Sequence, residues 1–402
     1  MSSVSFASAT PADAVETAHD PLFLGGPAQP LQAWLRLAAA GRVLLTRRIL
    51  LFLLLTWVPL LPLAAAEGRL WTAAGGPALL TDYGAWARFV FAGPMLLAAE
   101  AVAGEVLSRI ARRFAALWPA GDPGRVRFQH VAEAVRRQRD AVTPAIVMTV
   151  LASLLAWAVA GMSVSQLPPW HRSAADPALL SPAGWWAAVV SLPLLLLLVM
   201  SWLWRLFLWS RFLWQVAQLD LPLLPVHPDK AAGIGFAGLS LRGFGLVGTA
   251  IGTLVAGAMA NAVMHDGAAM ADMKHGIAAT VIVSVALFTA PLLAFTPRLW
   301  REWQRGAREY DGLAHELGQQ FEQRWFAGRR PVEGVELLDQ SDYSAACDLY
   351  SVVDRVRDMR WVPVNLHNVV ILAAATLAPF VPVALMVMPV DAVLKTLAGL
   401  LR

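Results

Sequence analysis

The chain has one cysteine, Cys347, among its 402 residues. A lone thiol excludes an intrachain disulfide and any cysteine-based metal cluster. It falls in a segment expected to lie in the cytoplasm, where thiols stay reduced. Charge is also scarce: 15% of residues are charged, against about 25% in a soluble domain. Lysine is nearly missing, with only Lys230, Lys274 and Lys395 beside 29 arginines. That skew reads as genome composition, not as a preference for phosphate. Several enzyme signatures are missing too. There is no G-x-x-x-x-G-K-[ST] loop and no G-x-S-x-G elbow, and His315-Glu316-Leu317-Gly318-Gln319 lacks the second histidine of a zinc-protease helix. No N-x-[ST] acceptor removes glycosylation from consideration. The sequence therefore assigns no catalytic residue, no metal ligand and no cofactor, and the reading leans away from an enzyme.

Apolar length is what the chain has in plenty. Hydrophobic residues make up 57% of it and the mean hydropathy is +0.55. A helix crosses the hydrocarbon layer with about 20 apolar residues. Seven such segments are expected, near 49–66, 84–104, 143–164, 184–205, 244–264, 277–296 and 368–390. The second is the weakest, because Arg88 and Glu100 interrupt it. The 17 tryptophans suit a membrane protein, where Trp gathers at the headgroup boundary. The fold expected is an all-α, polytopic transmembrane bundle.

Positive charge sets the orientation. With seven spans, 26 of the 32 Lys and Arg fall on one side, five on the other, and Arg88 lies within a span. The positive-inside rule then puts the N-terminus in the cytoplasm and the C-terminus in the periplasm of a bacterial inner membrane. Without the second span, eight arginines between 109 and 139 would lie on the wrong side. The net charge of +4 follows from this asymmetry, so nucleic acid is not an expected partner.

Residues 1–30, rich in Ala, Ser and Pro, are expected to be a disordered tail ahead of a membrane domain at 31–402. The long charged stretch before the first span argues against a secretory signal peptide. Residues 31–46 read as a helix lying on the inner surface. The segment 297–363 is expected to be a helical cytoplasmic insert. Leu299, Trp300, Trp303, Tyr310, Leu313, Leu317, Phe321 and Trp325 recur at helical spacing, and a second helix follows from Ser341 or Asp342.

Two clusters are candidate ligand or ion sites. The link from Leu219 to Phe236 holds Pro222, Pro225 and Pro228, which forbid a continuous helix, and Gly233 and Gly235. His227 and Asp229 could grip a cation, a phosphate through Lys230, or a neighbouring loop; a rigid structural turn uses the same residues. His227-Pro228-Asp229-Lys230 also matches the J-domain loop of Hsp40 co-chaperones, but over four residues only and without the soluble helical hairpin that a J-domain needs. The other cluster is Arg88 and Glu100. Charges within a span are costly, about 2.5–3.5 kcal/mol at mid-bilayer on insertion scales, and mark a site or a structural pair. The two stand 12 positions apart, roughly 18 Å along a helix, too far to pair directly. Arg205 is the expected partner of Glu100, and Asp82 or Asp266 that of Arg88. Gly248 and Gly252, in G-x-x-x-G register, predict close helix packing. In-span prolines 59, 62, 94, 193, 291, 379 and 382 predict kinks.

Three stretches resemble an uncharacterised family of bacterial polytopic inner-membrane proteins. They are Ala87-Arg88-Phe89 through Pro94 to Glu100, Leu224-Pro225 through His227-Pro228-Asp229-Lys230-Ala231 to Phe236, and Asp348-Leu349 through Met359-Arg360-Trp361-Val362-Pro363. The second is similar to the family's HPD(R/K)AGGLGF pattern, with Ala232 in place of its first glycine. The resemblance implies that Arg88, Glu100 and the 227–236 loop belong to one site, and it lends no activity. The leading functional expectation is a transport or channel component with those residues near a pathway. The alternative is a non-catalytic scaffold or assembly factor that binds a cytoplasmic partner or anionic lipid through 297–363. A lipid-acting enzyme using His227 and Asp229 ranks third. Membrane lipid, a second copy of the chain or another membrane component are the expected partners.

Overall fold

The structure is a computed structural model that describes residues 22–23, 42–73, 75–161, 167–269, 273–325 and 341–387. Among these residues the fold is all helical. Six helices are long and apolar enough to cross a membrane, seven if a bent pair near the C-terminus is one span. They are α1 (Leu44–Ala66), α2 (Tyr83–Ala115), α4 (Val142–Ala160), α5 (Pro182–Ala217), the run Gly235–His265 that contains α6 (Gly245–His265), and the run Lys274–Gln323 that opens with α7 (Lys274–Thr289). Helix α3 (Pro123–Arg139) lies between α2 and α4. Helix α7 runs through a tight 3₁₀ stretch, Ala290–Phe295, into α8 (Thr296–Trp325). Then come α9 (Ser341–Arg357), α10 (Leu366–Leu377) and α11 (Phe380–Val387).

Exposed apolar side chains identify a multi-pass membrane protein. Helix α4 buries only the narrow stripe Met148, Ala152 and Ala156, and leaves Ile146, Val150, Leu154 and Trp157 exposed. A soluble helix hides one apolar face and turns a polar one outward. Helix α4 has no polar face between Ile146 and Trp157 beyond Thr149 and Ser153, whose hydroxyls bond back to the carbonyls of Ala145 and Thr149. Lipid satisfies such a surface.

Three expectations shift. Helix α2 outruns the expected 84–104, because Leu107, Ile110, Ala111 and Phe114 continue its buried stripe while Arg109, Arg112 and Arg113 face outward. The sixth span does not stop at 296 but continues as one helical run into the insert. The seventh is two helices bent by 45° around Ala378 and Pro379, since proline lacks the N–H that an unbroken helix needs. Pro94 and Pro193 follow wide-turn π-helical stretches at Trp86–Ala92 and Ala187–Ser191, as expected where a ring pushes back the preceding turn.

The tail expected at 1–30 needs correcting at its two described residues. Leu22 and Phe23 are buried. The Phe23 ring meets Trp209 at 5.2 Å and Phe212 at 5.5 Å. Its amide donates to Ser108 Oγ at 3.2 Å, and Arg139 donates to the Leu22 carbonyl at 3.2 Å. Burying one phenyl ring contributes about 2 kcal/mol, enough to tether a local segment. The remainder of 1–41 lies outside the described residues, and with it 31–41 of the surface helix expected at 31–46; its last residues, 42–46, open the helix that continues into the first span. Residues 326–340 of the insert and 388–390 of the last span also lie outside the described residues.

Phe23 joins a buried aromatic core at the arginine-rich end of the bundle. Phe114 is its hub, with Phe236 at 4.8 Å, Phe295 at 5.6 Å and Phe212 at 6.2 Å. Farther along, α6 packs on α10 through its small residues. A Cβ on Gly248 would stand 2.6 Å from Thr376 Oγ1, and one on Gly252 would collide with the Thr376 carbonyl. Beyond the membrane-length segments, α8 pairs with α9, whose Val353 and Val356 are buried, and Trp300, Trp303 and Trp361 cluster beside them.

Candidate functional sites

The sequence-derived residues occupy three levels of the bundle and do not form one site. Glu100 lies within α2. Its Oε2 accepts from Arg48 of α1 at 2.5 Å and its Oε1 from Arg205 of α5 at 2.9 Å. Both arginine side chains are largely buried. Arg205 also stacks over Trp202 at 5.2 Å, and the Trp202 indole donates to the Leu96 carbonyl at 3.0 Å. One carboxylate thereby ties three helices together. Arg205 is the expected partner. Arg48 escapes the sequence reading, which places it before a span starting at 49; α1 in fact begins earlier, so Arg48 reaches inward.

Arg88 lies nearer the opposite, arginine-poor end. Its Nε donates to the Gly84 carbonyl at 3.0 Å, and its Nη2 stands 3.8 Å from Asp82 Oδ2, beyond hydrogen-bond reach. Asp82, fully buried, is the first of the two partners expected. Its oxygens are already occupied: Oδ2 by the Trp170 indole at 2.8 Å, Oδ1 by Asn261 at 2.7 Å and by the Ala85 amide at 2.9 Å. Asn261 also accepts from the Tyr83 amide at 2.8 Å, so Asp82 fastens α2, α6 and the 167–181 connection together.

Beside Arg88 lies a cavity of about 60 Å³ lined by Arg88, Phe89, His171, Ala187 and Ala188, among others. His171 is half-buried, but its Nδ1 is fully buried with no hydrogen-bond partner. Burial, aided by the charges of Arg88 and Arg172 and opposed by Asp82, pushes His171 down to about 3. The ring is therefore neutral near neutral pH. Nothing in the hydropathy pattern marks His171. The sequence clue is indirect, in the two in-span prolines whose π-helical stretches meet at this cavity.

The 227–236 loop closes on itself. Burial alone would raise the Asp229 carboxyl, but amide donation from Ala231, Gly235 and Gly233 at 2.8, 2.8 and 3.1 Å, with His227 beside it, holds it below its ordinary value. A Cβ on Gly235 would stand 2.9 Å from Asp229 Oδ2, so the wrap needs glycine there. His227 Nδ1 lies 2.9 Å from Asp229 Oδ1. Lys230 turns outward to Asp358 at 2.7 Å. Arg360 donates to the Asp229 carbonyl at 2.8 Å, and its amide to the Lys230 carbonyl at 2.7 Å. The loop thus latches onto the connection between α9 and α10. Lys230, Ala232 and Gly233 all take left-handed backbone, with φ of 56°, 53° and 95°. Phe236 rests on Phe114, fourteen residues beyond Glu100 and about 21 Å along α2.

No three His, Cys, Asp or Glu side chains converge in a metal-holding group among the described residues. No protein family, curated protein or solved structure matches this chain.

Proposed function

We propose that this protein is a non-catalytic scaffold of the bacterial inner membrane, with a cytoplasmic N-terminus and a periplasmic C-terminus, that holds a cytoplasmic partner on α8 and α9. The observation that carries this reading is the continuous helical run from Lys274 to Gln323, which leads from an apolar segment into a polar, amphipathic one. Helix α8 is braced at its base. Arg298 donates to the carbonyls of Ala217 and Gln218 at 3.1 and 3.0 Å, and Gly306 packs against Pro225 and Val356. Leu313 and Tyr350 stay exposed on the paired helices. The charges of the candidate sites support the same reading, because the carboxylates of Glu100, within a span, and Asp229, in the loop, are held in fixed contacts and Lys230 in a surface ion pair.

Photo-crosslinkers at Leu313 and Tyr350 of the full chain in native membranes test it. The expected result is one shared partner at both positions, lost in a folded Leu313→Glu variant. The same products from a crosslinker on the exposed α4 face would overturn it. The lone, exposed Cys347 of α9 tests orientation. A membrane-impermeant maleimide should label it only after the membrane is opened; labelling of intact cells reverses the topology.

The second reading is the transport or channel component. It is favoured by the proline breaks in α1, α2, α5, the 290–295 stretch and the last span. Purified protein in liposomes should then carry a solute flux that Glu100→Gln reduces. Flux across a broad solute panel no greater than in empty vesicles excludes it.

A further inference from the structure

We infer that the crevice between α2, α3 and α5, at the arginine-rich end of the bundle, is a peptide-recognition site whose occupant is the chain's own Leu22–Phe23 segment, held there as a removable clasp. The inference stands under either functional reading. Three observations carry it. The first is how the segment is gripped. The Leu22 carbonyl and the Phe23 amide are the two ends of one peptide unit. Arg139 of α3 donates to the carbonyl at 3.2 Å, and Ser108 of α2 accepts from the amide at 3.2 Å. Both side chains are buried, at 7% and 2% exposure. Main-chain bonds of this kind give a bound peptide its affinity, and a pocket beside them selects its side chain.

The second is a slot built from contacts that do not involve the segment. The Phe23 ring stands edge-on to Trp209 and Phe212 of α5. Those two rings stack on each other at 5.6 Å, and Phe212 also meets Phe128 of α3 at 6.0 Å and Phe114 of α2 at 6.2 Å. The Arg139 guanidinium is held by both carboxylate oxygens of Asp140, at 2.7 and 2.9 Å. Each of the three helices thus keeps its part of the wall in place. A preorganised pocket that takes one aromatic anchor is where binding energy concentrates.

The third is the sequence. Leu22-Phe23-Leu24 is the only run of three large apolar residues in the Ala-, Ser- and Pro-rich stretch 1–30. A short apolar motif in such a stretch buries too little to fold by itself and gains its order from the surface that receives it. Residues 24–41 join it to the helix that opens at Arg42. The segment is therefore delivered in cis, at an effective concentration on the order of millimolar, against which a free peptide must compete. Phe212 passes the contact on to Phe114, which stacks on Phe295, the residue before α8. The clasp closes the end of the bundle from which α8 leaves.

The test uses the full chain in lipid nanodiscs and a fluorescein-labelled peptide of residues 15–30. Binding is read by fluorescence anisotropy, with the signal of empty nanodiscs subtracted. Phe23→Ala empties the slot in cis. This variant should bind the peptide saturably, and the wild type, whose slot is filled, about tenfold more weakly or worse. A peptide carrying Phe23→Ala should lose about tenfold or more, as removal of a buried anchor implies. Adding Ser108→Ala to the receiving chain should cost roughly fivefold, the loss of one hydrogen bond. Equal binding by wild type and Phe23→Ala overturns the proposal, as does an absence of saturable binding to Phe23→Ala, or binding that Ser108→Ala leaves unchanged. A Phe23→Ala chain that does not fold makes the segment core and not clasp, which also overturns it. Hydrogen exchange on the wild type decides the point independently. The Phe23 amide should exchange faster than the amides of the α2 and α5 turns it touches, and exchange no faster than theirs overturns the proposal.

Discussion

Two charged clusters on α2 use similar chemistry to different ends. At Glu100 one carboxylate faces two arginines and each of its oxygens is bonded. At Asp82 one carboxylate is fully bonded, yet the arginine nearest to it is left outside that set. The difference lies in competition for oxygen. Three neutral donors reach Asp82 first, so Arg88 keeps donors of its own and stands beside a void. A membrane charge is structural when its partners close around it. It becomes available when the partners have been taken by others.

Four substitutions or conditions test that contrast, beginning with the largest effect. Glu100→Gln leaves two largely buried arginines facing each other without a counter-charge. It should cost about 3–5 kcal/mol, as breaking a buried pair from one side does, read by denaturant unfolding in mixed micelles. A loss under about 1 kcal/mol would place the cluster in water and dissolve the contrast. Asp82→Asn turns an amide toward the Trp170 indole and leaves that N–H without an acceptor. The expected cost is about 1–3 kcal/mol by the same assay. Arg88→Gln should cost less than about 1 kcal/mol, because its contact with Asp82 is long and partly exposed. A stability loss at Arg88 equal to that at Glu100 would erase the distinction.

The smallest effect is the pH dependence of the 227–236 loop. The folded-state value of Asp229 is depressed, so its contribution is fully present above the ordinary value of 3.8 and disappears as pH falls through the lower folded value. Asp229→Asn should remove this part of the acid limb while leaving the neutral-pH profile of the membrane helices unchanged. Hydrogen exchange at Ala231, Gly233 and Gly235 reports it directly.

The spans were legible because apolar length is a one-dimensional property, and the charge asymmetry correctly required the second span. Arg205 was legible too, since it stands at the level expected for Glu100. Arg48 was not, because the start of α1 fixes its depth and a helix boundary is blurred in sequence. The loop was recognised by its prolines and glycines, but its latch depends on Arg360, more than a hundred residues away. Leu22 and Phe23 sit in a tail whose Ala-, Ser- and Pro-rich composition points to disorder, and only tertiary packing sets them apart. His171 illustrates the same limit: its isolation is a property of what fails to reach it.

The joint between α7 and α8 has a mechanical consequence. Helix α8 has 30 residues, about 45 Å of rigid rod at 1.5 Å per residue. A change of about 5° at its base would move the far end by roughly 4 Å, and spans change tilt when bilayer thickness changes. A partner seated near Leu313 would therefore ride on a lever whose pivot is set by the lipid.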